Sequence, residues 1–125
     1  MSMRSPLGHA RGLGSAKEGS HHFWVQRLSA LALIPLTLWF VFSVADLSGG
    51  SYTGVLHWVQ SPAVAVTLVL FLAALLYHSM LGVQVVIEDY IQHEGLKLTS
   101  LVLSKFAHLT VAVASIFAVL KVALS

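Results

Sequence analysis

The chain has 125 residues, of which 57% are hydrophobic and only 10% are charged, and its mean hydropathy is +0.83. Because a soluble domain carries about 25% charged residues, a chain with so few charges is not expected to cover a surface that faces water. The net charge is only +2, and the seven basic residues are too sparse for a nucleic-acid patch. The absence of cysteine excludes disulfides, thiolate zinc sites and iron–sulfur clusters held by this chain.

The N-terminal segment, residues 1–20, is predicted to be a cytoplasmic tail. It carries Arg4, Arg11 and Lys17 and contains no apolar run of the length that a signal peptide needs. The remainder, residues 21–125, is predicted to be a single membrane domain.

Three apolar stretches follow the tail, at about 24–47, 62–87 and 98–120. Each is longer than the roughly 20 residues that a helix needs to cross a bilayer. Helices are expected because each unpaired backbone group in lipid costs several kcal/mol. The predicted fold is therefore an all-α membrane protein with three transmembrane helices, in which Ser61 and Pro62 mark the start of the second helix.

The distribution of lysine and arginine predicts how these helices are oriented. Four of the seven basic residues lie in the first 27 positions, Lys97 lies in the second loop, and the first loop, residues 48–61, holds none. Because cytoplasmic loops carry the excess of basic residues, we expect the N-terminus and the loop of residues 88–97 to face the cytoplasm, or the matrix of a mitochondrion. The first loop is expected on the other side.

His78 is the most informative polar residue of the second predicted helix. An imidazole near the middle of a membrane span is costly and tends to mark function. Ala74 and Gly82 lie one turn away on the same side, where small residues leave room for a flat macrocycle or for close helix packing. Two interpretations are open: His78 is a haem ligand, or it only bonds a neighbouring helix.

Three further residues lie near the predicted cytoplasmic side. Arg27, about one turn into the first helix, either extends its side chain to the interface or pairs with an anionic group such as a haem propionate. Asp89 and Tyr90 follow the second apolar stretch. Tyr90 is either an ordinary interfacial aromatic residue or a hydrogen-bond donor to a quinone carbonyl.

The stretch YHSMLGVQVVIEDY, residues 77–90, resembles the His-x3-Gly-x6-Asp-Tyr signature of the smaller membrane anchor of succinate dehydrogenase (succinate:quinone oxidoreductase, complex II). The segment EGSHHFWVQRLSALALIPL, residues 18–36, also resembles the bacterial and mitochondrial forms of that subunit. With three helices and a basic N-terminus, the resemblance extends over nearly the whole chain.

The resemblance implies a role for each candidate residue. His78 corresponds to the family's haem axial ligand and thus binds the haem iron, Arg27 corresponds to an arginine near the haem propionates, and Tyr90 with the preceding Asp89 corresponds to the quinone contacts. A b-type haem is then shared with a sister anchor subunit, which supplies the second histidine, so this chain forms half of a haem-binding helical bundle.

The same resemblance implies partners and a location. A flavoprotein subunit oxidises succinate and an iron–sulfur subunit passes the electrons to ubiquinone, which links the tricarboxylic acid cycle to the respiratory chain. This chain alone is not expected to oxidise succinate. It is expected in the bacterial inner membrane, or in the mitochondrial inner membrane of a eukaryote, surrounded by membrane lipid.

His108 departs from the family pattern. It lies midway along the third predicted helix, at a depth similar to that of His78 if the two helices are antiparallel neighbours. Two alternatives therefore stand beside the anchor subunit. One is a self-contained bis-histidine cytochrome b-like electron carrier that uses both residues, and the other is a haem-free structural anchor.

Overall fold

All regular structure in the described residues is α-helical. The computed structural model describes residues 5–7 and 17–125, and the longer range contains four helices: α1 (Lys17–Leu47), α2 (Tyr52–Gln60), α3 (Pro62–Tyr90) and α4 (Glu94–Ala123). Three of these, α1, α3 and α4, are long and apolar enough to cross a membrane. The predicted all-α membrane fold with three spans is confirmed, while most of the predicted tail lies outside the described residues.

A glycine turn joins α1 to the short helix α2. Gly49 has a φ of +85°, a left-handed conformation that glycine adopts without steric cost, and the amide of Gly50 donates to the carbonyl oxygen of Leu47 at 3.0 Å. Ser51 then caps α2, because its hydroxyl accepts a hydrogen bond from the amide of Gly54 at 3.2 Å. Beyond this turn α2 packs against α3 and α4, and its Trp58 stacks on Trp39 of α1.

The second transmembrane helix, α3, begins at Pro62, as the sequence predicts, and Ser61 separates it from α2. Ser61 is extended, with φ −63° and ψ 123°, and Pro62 is the first residue of α3. The Ser61 side chain makes no capping hydrogen bond. The start of α3 is therefore favoured mainly by the fixed φ and missing N–H of proline.

The polar turn between α3 and α4 is shorter than the apolar pattern predicts. α3 continues to Tyr90 and α4 begins at Glu94, whereas the apolar stretches end near residue 87 and resume near 98. His93 caps α4, since its Nδ1 accepts a hydrogen bond from the amide of Leu96 at 3.2 Å and satisfies an otherwise unpaired helix N–H. The helices therefore extend through polar residues at this end of the bundle.

α3 is the central helix of the domain and packs against both α1 and α4. All four buried apolar side chains among the described residues belong to it: Ala65, Leu68, Phe71 and Leu81. Phe40 of α1 stacks on Phe71 with ring centroids 4.9 Å apart and planes inclined by 25°. An aromatic pair of this kind contributes about 0.5–1.5 kcal/mol beyond its buried area, so it helps to hold α1 against α3.

In the described part of the chain, the outward faces of α1 and α4 are apolar and exposed. Leu31 and Phe42 of α1 are 62% and 72% exposed, and Phe106 of α4 is 65% exposed. Surfaces of this kind require lipid or protein neighbours. The chain therefore has the surface of a membrane domain on both sides of its central helix.

Candidate functional site

His78 is bonded to α1 through a serine. Its Nδ1 lies 2.9 Å from the Oγ of Ser29, which is 49 positions earlier in the sequence. The same Oγ lies 2.8 Å from the backbone carbonyl oxygen of Gln26, one turn back along α1. This chain of two hydrogen bonds joins the imidazole on α3 to the backbone of α1.

The two contacts of Ser29 determine the tautomer of His78. A carbonyl oxygen can only accept, so the single hydroxyl hydrogen of Ser29 is donated to Gln26. The hydrogen between Ser29 and His78 must then belong to Nδ1, which donates it to the serine oxygen. The other ring nitrogen, Nε2, keeps its lone pair and is the atom able to ligate a metal.

A groove along α1 opens in front of His78. One cavity of about 490 Å³ is lined by His78 together with Phe23, Gln26, Arg27, Ala30, Leu31 and Ile34. A second cavity of about 410 Å³ continues it and is lined by Ala30, Leu33, Ile34, Thr37, Leu38 and His78. We call the two cavities together the α1 groove. Because lining residues such as Leu31 and Ile34 are 62% and 59% exposed, the groove is open to the surface of the chain.

Arg27 lies in the same groove as His78, toward the end of α1 that carries the N-terminus. Its guanidinium carbon lies 4.6 Å from the ring centroid of Phe23, a cation–π distance. The structure therefore brings together two of the residues singled out in the sequence, and it places a cation at one end of an otherwise largely apolar groove.

The space in front of His78 does not come from the small residues of its own helix. Neither Ala74 nor Gly82 lines the α1 groove, and a Cβ added at Gly82 would meet open space. Ala30 of α1 lines both cavities instead. The opening thus depends on the pairing of two helices, which the spacing within α3 does not reveal.

Asp89 and Tyr90 lie on the last turn of α3, away from the α1 groove. Both side chains are exposed, Tyr90 by 81%, and among the described residues the phenol has no hydrogen-bond partner. At about 100° per residue, Asp89 returns to the His78 side of the helix, whereas Tyr90 is rotated by about 120° from His78. The four predicted site residues therefore form two groups, one in the groove and one at the helix end.

His108 of α4 uses both of its ring nitrogens within the chain. Its Nδ1 donates to the carbonyl oxygen of Ser104 at 2.8 Å, and its Nε2 lies 3.1 Å from the hydroxyl of Ser79, which donates to it. Since Ser79 is the neighbour of His78, the two histidines lie at the same level. They contact different helices, however, because His78 is bonded to α1.

A third, more polar cavity was not predicted from the sequence. It measures about 460 Å³ and lies between the first turns of α1 and the last turns of α3, lined by His21, His22, Val25, Tyr77, Leu81, Gln84 and Glu88. Gln84 donates to Glu88 at 3.0 Å, while the buried Nε2 of His22 has no hydrogen-bond partner. In the described part of the chain, no cluster of three or more histidine or acidic side chains has the geometry to hold a bare metal ion.

Comparison with known proteins agrees with this architecture. The family described as succinate dehydrogenase/fumarate reductase transmembrane subunit matches residues 1–120. The succinate dehydrogenase hydrophobic membrane anchor subunit of Rickettsia bellii is 34% identical over 116 residues, 93% of each chain. The same subunit of Paracoccus denitrificans is 32% identical over 120 residues, 96% of this chain and 92% of the relative.

A shorter match comes from Reclinomonas americana, whose succinate dehydrogenase membrane anchor subunit is 32% identical over 90 residues, 70% of this chain and 75% of the relative. No solved structure gives a significant match. The three spans and these relatives make the chain a multi-pass protein of the inner membrane. The chain belongs to the succinate dehydrogenase/fumarate reductase transmembrane subunit family and resembles its hydrophobic membrane anchors over nearly its whole length.

Proposed function

We propose that this chain is the smaller membrane anchor of a succinate dehydrogenase, and that His78 is one axial ligand of a b-type haem held between it and a sister anchor subunit. The observation that carries the proposal is the state of His78. Its Nδ1 is hydrogen-bonded to Ser29, and no group of the described residues bonds its Nε2, whose lone pair is therefore available beside an open groove. Haem ligation by histidine needs this neutral form, with the second nitrogen bonded.

The residues of the α1 groove fit such a group. A haem has a flat apolar ring and two propionates at one edge, and the groove offers largely apolar side chains with the Arg27 guanidinium at one end. A guanidinium forms strong hydrogen bonds with carboxylates. A porphyrin supplies four iron ligands itself, so a single imidazole from this chain suffices. When bound, the haem would supply a one-electron redox centre within the membrane.

The sister anchor would cover the open side of the α1 groove and supply the second axial ligand. That side is lined by residues such as Leu31 and Ile34, which are more than half exposed. A single-chain cytochrome is disfavoured, because both ring nitrogens of His108 are already hydrogen-bonded, one to Ser104 and the other to Ser79. A purely structural His78 would need no open groove beside its free nitrogen.

Ubiquinone reduction would take place near the last turn of α3. The exposed phenol of Tyr90 can donate a hydrogen bond to a quinone carbonyl, and Asp89 lies beside it. Electrons would arrive from the iron–sulfur subunit, which receives them from the flavoprotein that oxidises succinate. If the N-terminus faces the cytoplasm, as the positive-inside rule predicts, Tyr90 would face the compartment in which those soluble subunits would dock.

His78→Ala tests the haem assignment, and His108→Ala is its matched control because it removes the same ring at the same level. In the assembled complex, purified in mild detergent, His78→Ala is expected to abolish or shift the low-spin haem spectrum, whereas His108→Ala leaves it unchanged. An unaltered spectrum in His78→Ala would overturn the assignment. Loss of haem in His108→Ala, with His78 intact, would favour the single-chain cytochrome.

A further inference from the structure

We infer that Ser29 is a positioning residue for His78, which fixes the tautomer of the imidazole and tunes the electron donation of its Nε2. The inference rests on the proposed haem ligation by His78 and extends it to a residue of α1. Its basis is the hydrogen-bond chain in which Nδ1 of His78 donates to Ser29 at 2.9 Å and Ser29 donates to the carbonyl of Gln26 at 2.8 Å.

The direction of this chain is what gives Ser29 its role. Because the hydroxyl hydrogen is engaged by a backbone carbonyl, the oxygen of Ser29 is available to His78 only as an acceptor. It therefore stabilises the tautomer with hydrogen on Nδ1 and disfavours the tautomer with hydrogen on Nε2. Among the described residues, Ser29 is the only hydrogen-bond partner of the His78 ring. Without it, no hydrogen bond from these residues would favour one tautomer over the other.

The same bond affects the strength of the ligand. A hydrogen bond donated by the ring nitrogen that does not bind the metal raises the basicity of the nitrogen that does. Removal of such a partner typically lowers metal affinity about 10-fold to 100-fold. A more basic imidazole stabilises ferric iron relative to ferrous iron. Loss of the Ser29 hydroxyl is therefore expected to weaken haem retention and to raise the midpoint potential of the haem.

A serine between membrane helices can also act only as a packing contact. The chain offers a matched control for that possibility. Ser115 of α4 is likewise half-buried, and its Oγ donates to the carbonyl oxygen three residues earlier, that of Ala112, at 3.1 Å. Its hydroxyl makes the same kind of hydrogen bond to its own helix backbone as Ser29 does, but among the described residues it has no hydrogen bond to an imidazole.

The test measures haem content, the potentiometric midpoint and the low-spin electron paramagnetic resonance signal of the purified complex in five variants. Ser29→Ala should lose haem on dilution about 10-fold to 100-fold more readily than the unmodified complex, with a raised midpoint potential and altered signal. Ser29→Thr keeps an acceptor hydroxyl and should match the unmodified protein. Ser29→Cys, a weaker acceptor, should fall between them, and Ser115→Ala should have no effect.

The fifth variant, His78→Ala, separates the two proposals. If His78→Ala removes the haem while Ser29→Ala and Ser29→Cys keep the potential and signal of Ser115→Ala, the role of Ser29 is refuted and ligation by His78 stands. Equal impairment of Ser29→Thr and Ser29→Ala would also refute it, because the hydroxyl would then be irrelevant. A normal haem spectrum in His78→Ala refutes both proposals.

Discussion

At the residue scale, the four predicted site residues differ in how many contacts they make with other residues of this chain. His78 has a bonded nitrogen, a free nitrogen and a cavity, and Arg27 is held over an aromatic ring in the same cavity. Among the described residues, Asp89 and Tyr90 have no comparable surroundings, since both are exposed on the last turn of α3. A quinone site that includes Tyr90 must therefore be completed by other subunits.

Tyr90→Phe tests whether the Tyr90 hydroxyl binds quinone, because the substitution removes the hydroxyl and keeps the ring. If the phenol bonds quinone in a site buried by the partner subunits, the loss should cost about 1–3 kcal/mol, equivalent to a roughly 5-fold to 150-fold lower succinate–quinone turnover. Haem content should be unchanged, because Tyr90 lies about 18 Å along the helix from His78. Succinate oxidation by an artificial acceptor that takes electrons from the soluble subunits should also persist.

Tyr52→Phe is the natural control for that experiment. Tyr52 is 77% exposed, close to the 81% of Tyr90, but it lies on α2 at the opposite end of the bundle. It should leave both activities unchanged. Equal loss of both activities in Tyr90→Phe would assign the residue to docking or assembly, and full quinone turnover would leave it an ordinary interfacial aromatic residue.

At the element scale, hydrophobicity predicts the three spans but not the contacts between them. The apolar stretches must be helical because lipid offers no partner to an unpaired backbone group, so α1, α3 and α4 follow from composition. Their ends depend on local capping instead, as the imidazole of His93 shows at the start of α4. Which residues meet across helices depends on rotation about each axis. The pairing of Ser29 with His78, 49 residues apart, therefore had no signal in the sequence.

The same limit applies to His108, whose depth was predicted but whose partner was not. The imidazole joins α4 to α3 through Ser79 at 3.1 Å and is itself held by the Ser104 carbonyl at 2.8 Å. This geometry makes it a link between two spans. It is also consistent with the proposal that the second haem ligand comes from another subunit.

A double-mutant cycle on Ser79→Ala and His108→Ala measures this link. Hydrogen bonds between membrane helices average about 0.6 kcal/mol and reach about 1.7 kcal/mol, so a coupling free energy in that range is expected for unfolding in detergent. Both single variants should keep the haem spectrum. Strictly additive effects of the two substitutions would show that the pair does not stabilise the α3–α4 contact.

At the scale of the whole molecule, the polar groups are distributed unequally between the two ends of the bundle. The end that contains the start of α1 and the α3–α4 turn carries His21, His22, Glu88 and the Glu94–Lys97 ion pair at 3.7 Å. The other end carries α2, whose Trp58 stacks on Trp39 of α1 with ring centroids 5.8 Å apart. Tryptophan favours the membrane interface, so α2 is suited to lie along the surface of the bilayer.

The orientation of this unequal bundle decides whether the proposed quinone site can work. If the basic N-terminal end faces the cytoplasm, as the positive-inside rule predicts, Tyr90 lies where the iron–sulfur subunit would deliver electrons.

Cysteine labelling measures this orientation. The chain contains no cysteine, so Ser48→Cys and Gln92→Cys each introduce a single thiol, at exposed positions on opposite ends of the bundle. A membrane-impermeant maleimide added to intact spheroplasts should label Ser48→Cys only. Inverted vesicles stripped of the soluble subunits should show the reverse. The opposite pattern would place Tyr90 on the outer face, beyond the reach of electrons from a cytoplasmic partner, and would remove the physical basis for its proposed role.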